Sequence, residues 1–122
     1  MELLYPELSY KIVGSVYEAY NELGFGYQEK YYYRAIRLKL EAKGLHVQTQ
    51  LHTPISIEGR PIGRYYLDFL VENTVVLEIK VADHVYPQHI KQVLGYLKAH
   101  NLRLGIITVI SKHGVITKRI IA

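Results

Sequence analysis

Apolar residues recur at helical spacing over residues 6–23, where Ile12, Val16, Ala19 or Tyr20, and Leu23 share one face. Gly24-Phe25-Gly26 ends that segment. A second helix is predicted over about 28–43 and is closed by Gly44. Residues 46–57 read as one long or bent strand interrupted by Pro54, followed by a turn at Glu58-Gly59-Arg60-Pro61. Two aliphatic runs, 65–71 and 75–81, bracket the polar break Glu72-Asn73-Thr74, the pattern of a β-hairpin. Pro87 starts a third helix that runs to about His100. Residues 102–110 and 115–121 close the chain as two strands around Ser111-Lys112-His113-Gly114. The order α-α-β-β-β-α-β-β predicts an α/β fold: one domain with a central mixed β-sheet flanked by helices.

Size and composition narrow the function classes. A chain of 122 residues buries one core and has no room for two, and it carries no repeat or low-complexity linker. The apolar fraction of 49% and charged fraction of 21% are those of a globular protein in water. No apolar run is long enough to span a bilayer, and Met1-Glu2-Leu3-Leu4-Tyr5-Pro6 lacks a signal-peptide pattern, so a cytoplasmic location without membrane contact is expected. The absence of cysteine excludes disulfides, thiolate zinc sites and a cysteine nucleophile. The six histidines have no paired ligand spacing, which argues against zinc. A net charge of +4 is compatible with a polyanionic partner. Twelve tyrosines stand against two phenylalanines. They serve either as amphipathic packing with hydroxyls at the rim or as a stacking surface for bases.

The charged residues within the hairpin carry the chemistry. Alternation along 75–81 puts Glu78 and Lys80 on one face and Val75, Leu77, Ile79 and Val81 on the other. Asp68 lies on the neighbouring strand. Opposite charges set in an apolar run are expensive to bury, and two carboxylates converging beside an ammonium can hold a hard divalent cation. On the second helix Glu29 is in line with Tyr33, Ile36 and Leu40, assigned to the buried side. It is either a helix N-terminal acid in water or a member of the site. Glu18 lies far from the apolar stripe of its helix and reads as a solvated charge. Lys30, Arg34 and Arg37 share another stripe, which is either an ordinary solvated face or one that tracks phosphates. On the third helix Gln92 and Tyr96, four residues apart, project together on a face distinct from Ile90, Leu94 and Leu97. His89 lies beside them.

The ordered set Glu29, Asp68-x9-Glu78-x-Lys80 and Gln92-x3-Tyr96 resembles the PD-(D/E)XK nuclease superfamily. Gly26-Tyr27-Gln28-Glu29-Lys30-Tyr31-Tyr32-Tyr33 resembles the signature of the GxxExxxY protein family, and the stretch from Pro87 to Tyr96-Leu97 is similar to that family's third helix. Leu67 precedes Asp68 where the superfamily pattern has proline. The resemblance implies a restriction-endonuclease-like core over 26–122, with 1–25 as an N-terminal helix. It also implies a nuclease that uses Mg2+ or Mn2+ and acts on nucleic acid, with DNA the preferred substrate, leaving a 5′-phosphate and a 3′-hydroxyl. Asp68, Glu78 and the backbone carbonyl of Ile79 are the expected metal ligands, oxygen donors suited to such ions. Glu29 would reach the same ion through water or hold a second. Lys80 would orient the attacking water and offset charge in the transition state. Gln92 and Tyr96 would position phosphate, and a homodimer would serve two strands. The rival reading is a non-catalytic module that binds nucleic acid or protein and retains the fold.

Overall fold

The computed structural model describes residues 3–122; Met1 and Glu2 lie outside them. Its elements in chain order are α1 (Pro6–Leu23), α2 (Glu29–Ala42), β1 (Val47–Ile57), β2 (Arg60–Val71), β3 (Val75–Val81), α3 (Pro87–Ala99), β4 (Leu104–Ser111) and β5 (Gly114–Ile121). The five strands form one mixed sheet in the order β1-β2-β3-β4-β5. All neighbours are antiparallel except β3 and β4, which α3 joins as a crossover.

The sheet divides the core into two layers. Val75, Leu77 and Ile79 of β3 pack with Ile12, Val16 and Ala19 of α1 and Tyr32, Ile36 and Leu40 of α2. Val76, one residue out of phase, packs on the opposite face with Val93, Tyr96 and Leu97 of α3. Gly105 of β4 lets α3 approach closely, since a Cβ there would overlap the Val93 side chain. A strand covered on both faces has to be apolar at nearly every position, and β3 is. Glu78, only 2% exposed, and the half-buried Lys80 are the exceptions.

Two local features place α2. The hydroxyl of the fully buried Tyr32 donates to the carbonyl of Gly24 and accepts from the Tyr27 amide, so the loop after α1 wraps around one ring. The ring of Tyr33 stacks on Phe69 of β2, with centroids 4.7 Å apart and planes 11° apart. Tyr33 is half-buried and Tyr32 takes the fully buried position, so the core row of α2 is Tyr32, Ile36 and Leu40.

The β1–β2 ribbon is longer than its sequence suggests. The turn consists of Glu58 and Gly59, with φ of 52° and 75°, and Arg60 and Pro61 already belong to β2. Two successive residues at positive φ form the tight hairpin turn that suits twisted strands. Proline and glycine are tolerated beyond it because β3 does not pair with this part of β2, so a missing N–H costs no ladder bond there. Pro54 likewise sits within β1, which is an edge strand.

Candidate active site

The pairing of β2 with β3 covers only Phe69–Leu77, Leu70–Val76 and Val71–Val75. Beyond Phe69 the two strands part, while β3 continues alongside β4 as far as Val81 and Ile110. The amides of Ile79 and Val81 thereby lose strand partners on the β2 side, and a buried orphan N–H is costly. Carboxylates take their place. Ile79 donates to Asp68 Oδ2 at 2.8 Å, and Val81 donates to Glu29 Oε1 at 3.1 Å. On the other arm of the fork, the Asp68 amide donates to Glu78 Oε1 at 3.1 Å. The other oxygen of Glu78, Oε2, lies 3.6 Å from Lys80 Nζ.

Electrostatics at the fork favour a proton or a cation. Burial, then the neighbouring Asp68 charge, push the Glu78 carboxyl up to about 9, against the opposing pull of Lys80. Burial also raises Asp68, which bonds to Glu78 and to the Ile79 amide partly offset. Without a bound cation these shifts favour the protonated form of Glu78. The donor set fits a small hard cation: oxygen ligands only, with a charge deficit that an ion would fill. Mg2+ characteristically uses one or two carboxylates and completes its shell with water and phosphate. Among the described residues no three histidine, aspartate or glutamate side chains converge on one point.

The expected site residues divide. Glu29 borders the same cleft as Asp68 but is held to Val81 and does not join the carboxyl pair. That cleft, of about 340 Å³, is also lined by Lys30, Arg34, Tyr33 and Gln50. Lys30 and Arg34 flank the exposed ring of Tyr31, 5.2 and 5.7 Å from its centroid. Arg37 lies further along α2 and pairs with Glu41 at 3.6 Å. Gln92 lines a separate groove between α3 and the β1–β2 ribbon, where its backbone carbonyl accepts from the Tyr65 hydroxyl at 3.0 Å.

Tyr96 departs from expectation. It does not share an open face with Gln92; it is 6% exposed in the α3 core with Val93 and Leu97, its ring stacked on His100. The sheet beneath α3 presents Ile107, Val109 and Ile120, an apolar surface wide enough to bury a broader arc of helix than Ile90, Leu94 and Leu97 span. Glu18 is exposed and pairs with Lys43, away from the fork.

Gln50 was not foreseen. It sits at φ 57°, between the paired residues Thr49 and Leu51, where β1 skips a partner opposite Asp68. The irregularity turns Gln50 into the cleft, and nothing in the local sequence marks it. His89, at the start of α3, is felt electrostatically by both Lys80 and Glu29; burial foremost lowers its pKa, and its buried Nδ1 has no partner among the described residues.

A strand fork with paired acids and a lysine two residues on is matched by the sequence as a whole: the model of the PD-(D/E)XK nuclease superfamily fits residues 6–119. The chain belongs to that superfamily. As a PD-(D/E)XK protein it is similar in fold to the crystal structure of SSO0001, with a TM-score of 0.60 at 18% identity. That match covers 95% of this chain and 61% of the other, so the PD-(D/E)XK domain spans less than two thirds of the longer protein. No curated protein matches the sequence. Among the described residues, no helix of this superfamily member is long and apolar enough to cross a membrane.

Proposed function

We propose that the chain is a metal-dependent nuclease that hydrolyses phosphodiester bonds in nucleic acid, with DNA the preferred substrate. The observation that carries this reading is the Asp68–Glu78 carboxyl pair at the fork, with the Lys80 ammonium beside it. Asp68, Glu78 and the Ile79 carbonyl would hold Mg2+ or Mn2+, and Glu29 would approach it through water. When bound, the cation would draw charge from the scissile phosphate and acidify a water molecule.

The chain's own residues supply the rest. Lys80, 28% exposed at its side chain, can turn its ammonium toward a phosphate in the fork and offset the negative charge that grows there. Lys30 and Arg34 would take neighbouring phosphates along the cleft. Glu29 fixes the Val81 amide and so the backbone that carries Lys80. Gln92 would meet the substrate from the α3 side. One domain covers little of a duplex, so a symmetric pair of chains would address both strands.

The test is a panel of single-stranded, duplex, flapped and four-way DNA and RNA, incubated with Mg2+, Mn2+ or EDTA. Cleavage that needs the cation and is lost in Glu78→Gln is expected. Parent protein that binds no divalent ion by calorimetry would overturn the assignment.

A further inference from the structure

Beyond the point where β2 leaves β3, the β1–β2 ribbon continues alone as an arm to its turn at Glu58 and Gly59. One face of the arm is docked. Leu51 and Leu67 are buried with α3, and Tyr65 is tied to Gln92. The other face is bare. Alternation from Asp68 brings Tyr66 and Arg64 onto it, and the register sets them opposite His52 and Pro54. The ring of Tyr66 is 46% exposed and meets His52 edge-on, with centroids 5.5 Å apart.

This face continues the cleft. Asp68 and Gln50 line the cleft and stand at the head of the two strands, with Lys30 and Arg34 on its far wall. Neither strand places a carboxylate on the arm between Asp68 and the turn. Among the described residues Arg64 forms no ion pair. Side chains on one face of a strand repeat about every 6.8 Å, two residues at about 3.4 Å each. That is about twice the 3.4 Å rise per nucleotide of a stacked duplex strand. An extended, unstacked polynucleotide matches it; a duplex offers no free base face to an aromatic side chain.

We propose that the bare face of the β1–β2 arm seats unpaired nucleotides, with bases on Tyr66 and His52 and backbone phosphate on Arg64, leading a single strand to Asp68. This deepens the nuclease reading and rests on it: the substrate class it names is single-stranded nucleic acid or the splayed end of a duplex.

The experiment is fluorescence anisotropy in EDTA with labelled oligothymidylate and a blunt duplex of equal length, for the parent, Tyr66→Ala, Tyr66→Phe and Arg64→Ala. Thermal melting of each variant checks the fold. The parent should bind oligothymidylate more tightly than duplex. Tyr66→Ala should weaken oligothymidylate binding by about 5- to 150-fold, the range of one lost base–aromatic stack, and Tyr66→Phe should restore it. Arg64→Ala leaves the His52–Tyr66 pair intact, so it reports on the face even if Tyr66→Ala misfolds; its log–log salt slope should fall by about 0.7. Unchanged affinity in both alanine variants overturns the proposal. So does a dimer that dissociates in Tyr66→Ala with oligonucleotide affinity unaltered, which would make the arm a self-association surface. Cleavage of duplex that ignores Tyr66 would keep the nuclease and remove the arm. Tyr66-dependent binding with no cleavage of any substrate would do the reverse.

Discussion

Glu78 is 2% exposed, and its ionisation is opposed by burial and by Asp68, so in the metal-free protein its charge works against the fold. A carboxyl whose pKa rises on folding, from 4.5 to about 9, contributes stability that is complete below 4.5 and is lost as pH climbs toward 9. The melting temperature in EDTA should therefore fall across that window. Glu78→Gln, whose amide oxygen can still accept from Asp68, should flatten the fall and gain on the order of 1–3 kcal/mol at neutral pH. Divalent ion should reverse the order of stability by raising the parent alone. Its binding should release a proton near neutral pH, visible in calorimetry as a heat that varies with the ionisation enthalpy of the buffer. Asp68→Asn and Glu78→Gln should each abolish cleavage. Lys80→Ala should lower kcat by several orders of magnitude with little change in metal affinity, because its proposed contact forms in the transition state.

At the scale of elements, α2 is held by Tyr32 from within and by the Tyr33–Phe69 stack at the sheet, and these together aim Glu29 at Val81. Glu29→Ala should leave that amide without its acceptor, costing about 1–3 kcal/mol in thermal melting and impairing cleavage. Glu18→Gln, which touches only the exposed Lys43 pair, should change neither. The three helices were legible because their apolar positions keep a helical period, and the placement of Glu29 toward the sheet was legible because it falls in line with Tyr33, Ile36 and Leu40. The parting of β2 from β3 was not. Alternation marks a strand and its faces, but the point where a ladder ends depends on twist and on what the edge amides find instead. Tyr96 was misplaced because its helical angle lies at the margin of the buried arc, and the breadth of that arc belongs to the sheet beneath. Arg60 and Pro61 read as turn residues because their neighbours and chemistry are those of a turn; only the unpaired flank of β2 makes them acceptable in a strand.

For the whole molecule, a net charge of +4 spread over 122 residues is modest, and what matters is where cations face the cleft. Removing Lys30 or Arg34 should each flatten the log–log salt dependence of nucleic-acid binding by roughly 0.7–0.9. Arg37, turned toward Glu41 on the exposed side of α2, should contribute less, and titrations of the three single variants would rank them. Composition alone could not make that ranking, because the three residues share one helical stripe and differ only in what lies opposite.

The carboxylates at the fork also satisfy three backbone amides, two of them on the open edge of β3, and this gives them a reason to persist apart from any chemistry. A relative of this chain without the proposed catalysis would still need Asp68 and Glu29 to satisfy Ile79 and Val81, so selection for folding alone would hold both acids in place. Lys80 has no such shelter. Its ammonium serves no backbone group, and its one ion-pair partner among the described residues, Glu78, would be better off neutral in a retired site. Of all the fork residues, Lys80 is the one that selection for folding alone would hold least, so its presence weighs more for the proposed chemistry than that of Asp68 or Glu29 does.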